Sequence, residues 1–191
     1  MKLKNFRMTK SGNYLNNYEL TYINKAGDDK VYEMVSREKY KDVNDVGKKT
    51  AGVIIAAFTN DGEEEKILLV REFRMGVNEY VYAFPAGLSD ADETVEQTAA
   101  RELKEETGME ISEITDVLRP AYSCTGITDE KTVVVFCKSK GNISECTLDD
   151  EDITARLYTK EEVKALLANE TFSARTQAIC YLWIKDGKIN D

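Results

Sequence analysis

The residues best suited to chemistry lie between Gly87 and Met109: Glu93, Arg101, Glu102, Glu105 and Glu106. Helix positions three and four apart share one face, so Glu102, Glu105 and Glu106 would crowd their carboxylates together. Like charges held that close repel unless something positive sits among them. A hard divalent cation with oxygen ligands, Mg2+ or Mn2+, is the natural counter-charge. The plainer alternative is a solvated acidic helix face. The chain has no histidine, which removes Ser-His-Asp triads, Cys-His pairs and histidine-based zinc sites together. Acid–base work must then fall to carboxylates, Tyr, Lys, Cys or metal-bound water.

A helix has to carry those carboxylates, and the local signals supply its ends. Thr94 and Gln97 have capping-box spacing, Val95, Ala99 and Leu103 form an apolar stripe, and Gly108 suits a left-handed C-terminal cap. Upstream, Tyr14, Tyr18, Leu20 and Tyr22 alternate, then Val31, Tyr32, Met34 and Val35 follow the turn at 26–29, which predicts a β-hairpin. Lys39 to Lys49 reads as a polar linker. Strands are predicted over 51–58, 67–73 and 79–84. The turn between the first two is Asn60-Asp61-Gly62, and Pro85-Ala86-Gly87 stops the third. Further strands are expected over 111–122, 131–138 and 153–158, helices over 160–167 and 174–185, with Ile179, Leu182 and Trp183 of the last facing inward. The tally is an α/β sandwich, a mixed sheet between helices.

A chain of 191 residues is long enough for a real core. Its hydrophobic fraction of 42% and charged fraction of 32% are ordinary for a globular protein. The net charge of −9, without a basic run, argues against a nucleic-acid or anionic-membrane partner. A phosphate-rich substrate would need bound cations as a bridge. Cys124, Cys137, Cys146 and Cys180 form no C-x-x-C pair and read as reduced, mostly buried thiols. The N-terminus lacks the apolar stretch of a signal peptide and no segment reaches membrane-span length, so a cytoplasmic protein is the expectation.

Residues 87–109 match the Nudix box, G-x5-E-x7-R-E-U-x-E-E-x-G-U with U apolar, at every fixed position. The chain thus resembles the Nudix hydrolases, which implies a Nudix-type α/β/α sandwich and Mg2+-dependent cleavage of a diphosphate joined to another group. By that resemblance Glu102 and Glu106 are metal ligands, Glu105 contributes directly or through water, and the Ala86 carbonyl is a further ligand. Arg101 would pair with Glu93 as a scaffold, although Glu93 also fits a simple helix-dipole carboxylate.

Outside the box, Leu69-Val70-Arg71-Glu72-Phe73-Arg74 and Phe84-Pro85-Ala86-Gly87-Leu88 resemble the ADP-ribose pyrophosphatase branch. That resemblance implies an N-terminal β extension over 1–45 that serves dimerisation and substrate contact, a hydrolase domain over 46–191, and a homodimer. It places Tyr14 and Tyr32 as aromatic neighbours of the base, Glu33, Arg37 and Arg74 as polar substrate contacts, and Glu151 as general base. Packing of both tyrosines within the hairpin, and an ordinary acidic loop around Glu151, are the alternatives. The chain departs from the branch at Thr125, where a proline is usual, and at Ala83, where a glutamate is usual; both bear on the substrate. The implied reaction is ADP-ribose to AMP and ribose 5-phosphate, with other sugar nucleotides or dinucleotides as alternatives. A nucleotide-binding module without turnover is the reading from another class; its usual mark, loss of box glutamates, is missing here.

Overall fold

The computed structural model describes residues 1–60, 62, 64–148 and 150–187; Asp61 of the expected 60–62 turn and Asp149 of the late acidic run lie outside them. The chain divides into two compact units, Met1–Ala51 with Pro120–Val133, and Gly52–Arg119 with Val134–Asp191.

The first unit is built on an antiparallel sheet of β1 (Lys2–Ser11), β2 (Asn16–Ile23) and β3 (Asp29–Ser36), in that order. Alternation along β2 buries Asn16, Tyr18 and Leu20, as the period of two requires. Tyr18 stacks on Phe6 with ring centroids 5.1 Å apart. Its hydroxyl donates to the Glu38 carbonyl at 2.8 Å and accepts from the Tyr40 N–H at 2.7 Å. β1 is a strand that side-chain patterning does not announce, because nearly all of it is exposed; it exists through its ladder with β2. The stretch after β3 carries a short 3-10 turn at Val43–Asp45. Within the segment 120–133, β9 (Ala121–Tyr122) pairs with the start of β10 (Lys131–Lys140). The segment also meets β3 in a parallel bridge between Val35 and Thr128.

The second unit holds β4 (Gly52–Asn60), β5 (Glu65–Arg74), β6 (Glu79–Ala83), β7 (Ala86–Leu88), α1 (Val95–Thr107), β8 (Glu110–Val117), the rest of β10, β11 (Ile153–Tyr158), α2 (Lys160–Asn169) and α3 (Ala174–Ile184). The sheet order is β11-β5-β4-β10-β8, with β6 beside β5 and β7 beside β4. Ile67, Leu68, Leu69 and Val70 are all buried; such an unbroken apolar run means that both faces of the strand are covered. Ala56, Ile67, Leu69, Phe84, Val134 and Tyr158 form one core cluster with Val163 of α2 and Cys180 of α3. The alternate positions Ile55, Ala57, Leu68 and Val70 are buried as well, and α1 packs on β4, β7, β8 and β11. The architecture is the expected α/β sandwich.

Two expectations are corrected. The single strand over 111–122 is two, β8 and β9, parted by Leu118–Pro120; Pro120 has no N–H to continue a ladder. Leu182 does not face inward but is 39% exposed. Ile179 and Trp183 pack against the core cluster, and Cys180 and Thr176 are the buried residues of α3. All four cysteines are free, Cys137 and Cys180 buried, Cys146 half-buried and Cys124 exposed.

Candidate active site

The acidic helix begins where its caps direct. Thr94 accepts from the Gln97 N–H, and the Gln97 side chain accepts from the Thr94 N–H, which closes the capping box. Gly108 ends the helix at φ 76°, a conformation that costs glycine little. Between these ends, Ala99 and Leu103 enter the core and carry Glu102 and Glu106 to the buried side with them.

Glu106 is 4% exposed. Its Oε1 accepts a long hydrogen bond from the Ala86 N–H at 3.4 Å, and its Oε2 is buried with no hydrogen-bond partner. Burial pushes this carboxyl up to about 9, and the charges of Glu102, Glu151 and Glu72 act in the same direction. Glu102 is 6% exposed and is also raised by burial, against the opposing pull of Arg101. Its carboxylate lies directly over Gly87: a Cβ there would fall 1.9–2.2 Å from the carboxylate atoms. A side chain at Gly87 would therefore have to displace the Glu102 carboxylate from where it sits.

Arg101 is the hub of the loop before the helix. It grips Glu93 in a two-pronged pair, Nε to Oε1 and Nη2 to Oε2, both at 2.8 Å. Nη2 also donates to the Leu88 carbonyl at 2.9 Å, while Nη1 reaches Glu102 at 2.7 Å and Glu105 at 3.1 Å. This pairing holds the Glu93 carboxyl down to about 2 and raises the guanidinium of Arg101. Glu93 also accepts from the Asp90 N–H and the Thr98 hydroxyl. Glu105 is half-buried and turned toward Arg101.

Glu151 is exposed, in the segment just before β11. Its neighbour Asp152 is fixed to β5 and β6: the Asp152 carbonyl accepts from the Phe73 N–H at 3.0 Å and its carboxylate from the Tyr80 hydroxyl. Arg74, at the end of β5, is half exposed and pairs with Glu72 at 3.0 Å. Among the described residues no three acidic or thiol side chains already converge on one point as a closed metal cage. A closed cage is not what Mg2+ requires, since it keeps several waters and takes one or two carboxylates plus substrate phosphates. A buried carboxylate oxygen without a partner, a second buried carboxylate over Gly87, and hard oxygen donors throughout are a donor set that fits such a cation.

Tyr14, Tyr32, Glu33 and Arg37 belong to the first unit. Tyr14 is 80% exposed in the β1–β2 turn. The Tyr32 hydroxyl donates to the Gly126 carbonyl at 2.6 Å, and Arg37 pairs with Glu130 at 3.2 Å. Glu33 is exposed on β3. The segment 123–130 thus lies against β3, and it contains Thr125. The turn around Thr125 closes by hydrogen bonds from the Ile127 and Thr128 N–H groups to the Cys124 carbonyl, at 3.0 and 2.9 Å.

Sequence reasoning missed Glu72 as a member of the acidic neighbourhood. Only part of the signal was available: Leu68, Val70 and Glu72 occupy alternate positions of β5 and so share one face, but what that face meets depends on strand pairing.

A family model of the NUDIX domain matches residues 48–177. The chain is 31% identical over 146 residues to an ADP-ribose pyrophosphatase of Bacillus subtilis (strain 168), covering 74% of this chain and 77% of that protein. It is 30% identical over 138 residues to an ADP-sugar pyrophosphatase of Mus musculus, covering 69% and 60%. A solved crystal structure of an ADP compounds hydrolase superposes with a TM-score of 0.68 at 21% identity, covering 97% of this chain and 96% of that one, and so shares the fold. With a family model spanning most of its length and the box carboxylates placed as described, the chain belongs to the NUDIX domain family and is a Nudix hydrolase.

Proposed function

We propose that this enzyme hydrolyses the diphosphate of a nucleoside diphosphate joined to another group, ADP-ribose first, giving AMP and ribose 5-phosphate. The observation that carries the reading is Glu106, whose buried Oε2 has no partner beside a second buried carboxylate at Glu102. The names of the Bacillus and mouse relatives support the substrate class. Glu102 and Glu106 would hold Mg2+ or Mn2+, with the Ala86 carbonyl and, directly or through water, Glu105. When bound, the ion supplies neutralisation of phosphoryl charge and a lowered pKa for the attacking water.

The chain's own groups do the rest. Arg101 and Glu93 clamp the loop that carries Gly87 and Leu88 against α1. Glu151 takes the proton from the attacking water. Arg74 presents a guanidinium suited to phosphate oxygens. Tyr14 and Tyr32 offer ring faces to the base, with Glu33 and Arg37 as polar contacts beside them. The exposed Met8, Tyr14, Leu15, Val31 and Tyr32 side chains of the first unit support its use as a pairing surface in a homodimer.

The test is hydrolysis of a panel with Mg2+: ADP-ribose, other sugar nucleotides, NADH, FAD, CoA and dinucleoside polyphosphates, with products identified. ADP-ribose leading, with AMP released, is the expected result. A different leader would keep the diphosphatase reading and move the substrate, starting from Thr125 and Ala83. No hydrolysis of any member would end the reading.

A further inference from the structure

Glu72 is a carboxylate that the site as described above does not use. It lies on β5 with its side chain 15% exposed; burial pushes its carboxyl up, Arg74 opposes this and the charge of Glu151 adds to it, and Glu72 in turn adds to the rise at Glu106. Three features of the backbone aim it. Alternation puts Glu72 on the same face of β5 as the buried Leu68 and Val70. The β5–β6 register sets Val70 opposite Ala83 and Glu72 opposite Val81. Glu72 and Ala83 are therefore diagonal neighbours on one face, a separation that a long side chain spans. On its other side, β11 sets Ile153 opposite Glu72, and the Phe73 N–H to Asp152 carbonyl bond brings in the segment that carries Glu151.

A half-charged surface explanation is available for Glu72, its ion pair with Arg74. That pair does not account for the position. Arg74 is half exposed, so solvent screens its pull on the more buried Glu72 carboxylate. Holding a carboxylate this deep beside like charges is unfavourable unless a positive partner is shared among them. The independent sign of such a partner is the unpartnered Oε2 of Glu106, in a residue more than nine-tenths buried.

We propose that Glu72 is a further carboxylate of the divalent-cation site, facing it from β5 opposite the α1 glutamates and bound to the ion directly or through one of its waters. The site is then closed from two elements, helix and sheet, with Ala83 leaving the room that the Glu72 side chain fills. This rests on the cation reading of Glu102 and Glu106. Arg74 is its partner when no cation is present, and is released toward substrate phosphate when one binds.

The experiment is Mn2+ binding to the whole chain without substrate, by calorimetry and by the electron paramagnetic resonance signal of free Mn2+. It compares the unaltered protein with Glu72→Gln, Glu106→Gln and Arg74→Met, each checked for fold by circular dichroism. Expected are measurable binding to the unaltered protein, loss in Glu106→Gln, and a roughly tenfold or greater loss of affinity, or of one bound equivalent, in Glu72→Gln. Arg74→Met should bind Mn2+ no more weakly than the unaltered protein. If the unaltered protein binds no Mn2+, the underlying cation reading fails. If it binds, Glu106→Gln does not, and Glu72→Gln matches the unaltered protein, the role of Glu72 is overturned while the site stands. Equal losses in Glu72→Gln and Arg74→Met would overturn it too, since Glu72 would then act through the guanidinium.

Discussion

Glu106 has one oxygen 3.4 Å from an N–H and the other with no partner at all. A buried acceptor left unmade costs roughly 1–3 kcal/mol, so the fold tolerates here what it satisfies elsewhere. Replacing it by glutamine keeps the volume and removes the charge. Glu106→Gln should therefore fold as before, by circular dichroism, and lose turnover on the order of a hundredfold or more, because several kcal/mol of charge stabilisation goes with the ion. Near-normal turnover in that variant would remove Glu106 from the metal set. Glu93 makes the opposite case. Its carboxyl is held down to about 2 by Arg101 against an ordinary 4.5. A folded value below the unfolded one means stability that is fully present above about pH 4.5 and is lost as the pH falls through about 2. Urea denaturation of the unaltered protein and of Glu93→Gln should differ most near neutrality, with the gap shrinking toward pH 2. A gap that stays constant with pH would show that the charge of Glu93 contributes nothing to the stability of the folded state.

At the scale of elements, α1 is the part that positions the chemistry, and its start is set by one threonine. The Thr94 hydroxyl accepts from the Gln97 N–H in one half of the capping box, and the Gln97 side chain accepts from the Thr94 N–H in the other. Thr94→Ala should cost about 1 kcal/mol, read as a lowered urea midpoint. A midpoint unchanged within error would mean that packing of Ala99 and Leu103 alone sets the helix start. The box turns, the caps and the apolar stripe were legible because each is a local rule between residues close in sequence. The division of 111–122 into two strands was missed although Pro120 was visible, because the apolar pattern continues past it. β1 was missed for the reverse reason: its residues are exposed, and its partner strand supplies the order that its own pattern lacks. Leu182 sits at a helical spacing that suits a core, yet α3 turns Thr176 and Cys180 inward, and the Thr176 hydroxyl accepts a hydrogen bond from the Phe84 N–H at 3.0 Å.

For the whole molecule, the net charge of −9 leaves a substrate diphosphate repelled at long range, which is consistent with a role for bound cations in bringing the two together. No helix among the described residues is long and apolar enough to cross a membrane. The exposed apolar side chains of the first unit predict self-association. Light scattering at micromolar concentration should give twice the 21.6 kDa of the chain, and Tyr14→Ser with Leu15→Ser should shift it toward the single chain. A single-chain mass for the unaltered protein would remove the homodimer.

The sequence by itself determined the box, its helix, both caps, and the identity of Glu93, Arg101, Glu102, Glu105 and Glu106 as a set, because helical spacing is fixed by the backbone and needs no distant partner. It could not decide how the three box carboxylates divide. The tertiary structure buries Glu102 and Glu106, turns Glu105 to Arg101, and leaves one Glu106 oxygen unpaired. Nor could it bring Glu72 to the same neighbourhood, since that depends on the registers of β5 with β6 and β11. Register is a pairing between segments far apart in the chain, and a shift of one residue would turn Glu72 to the opposite face.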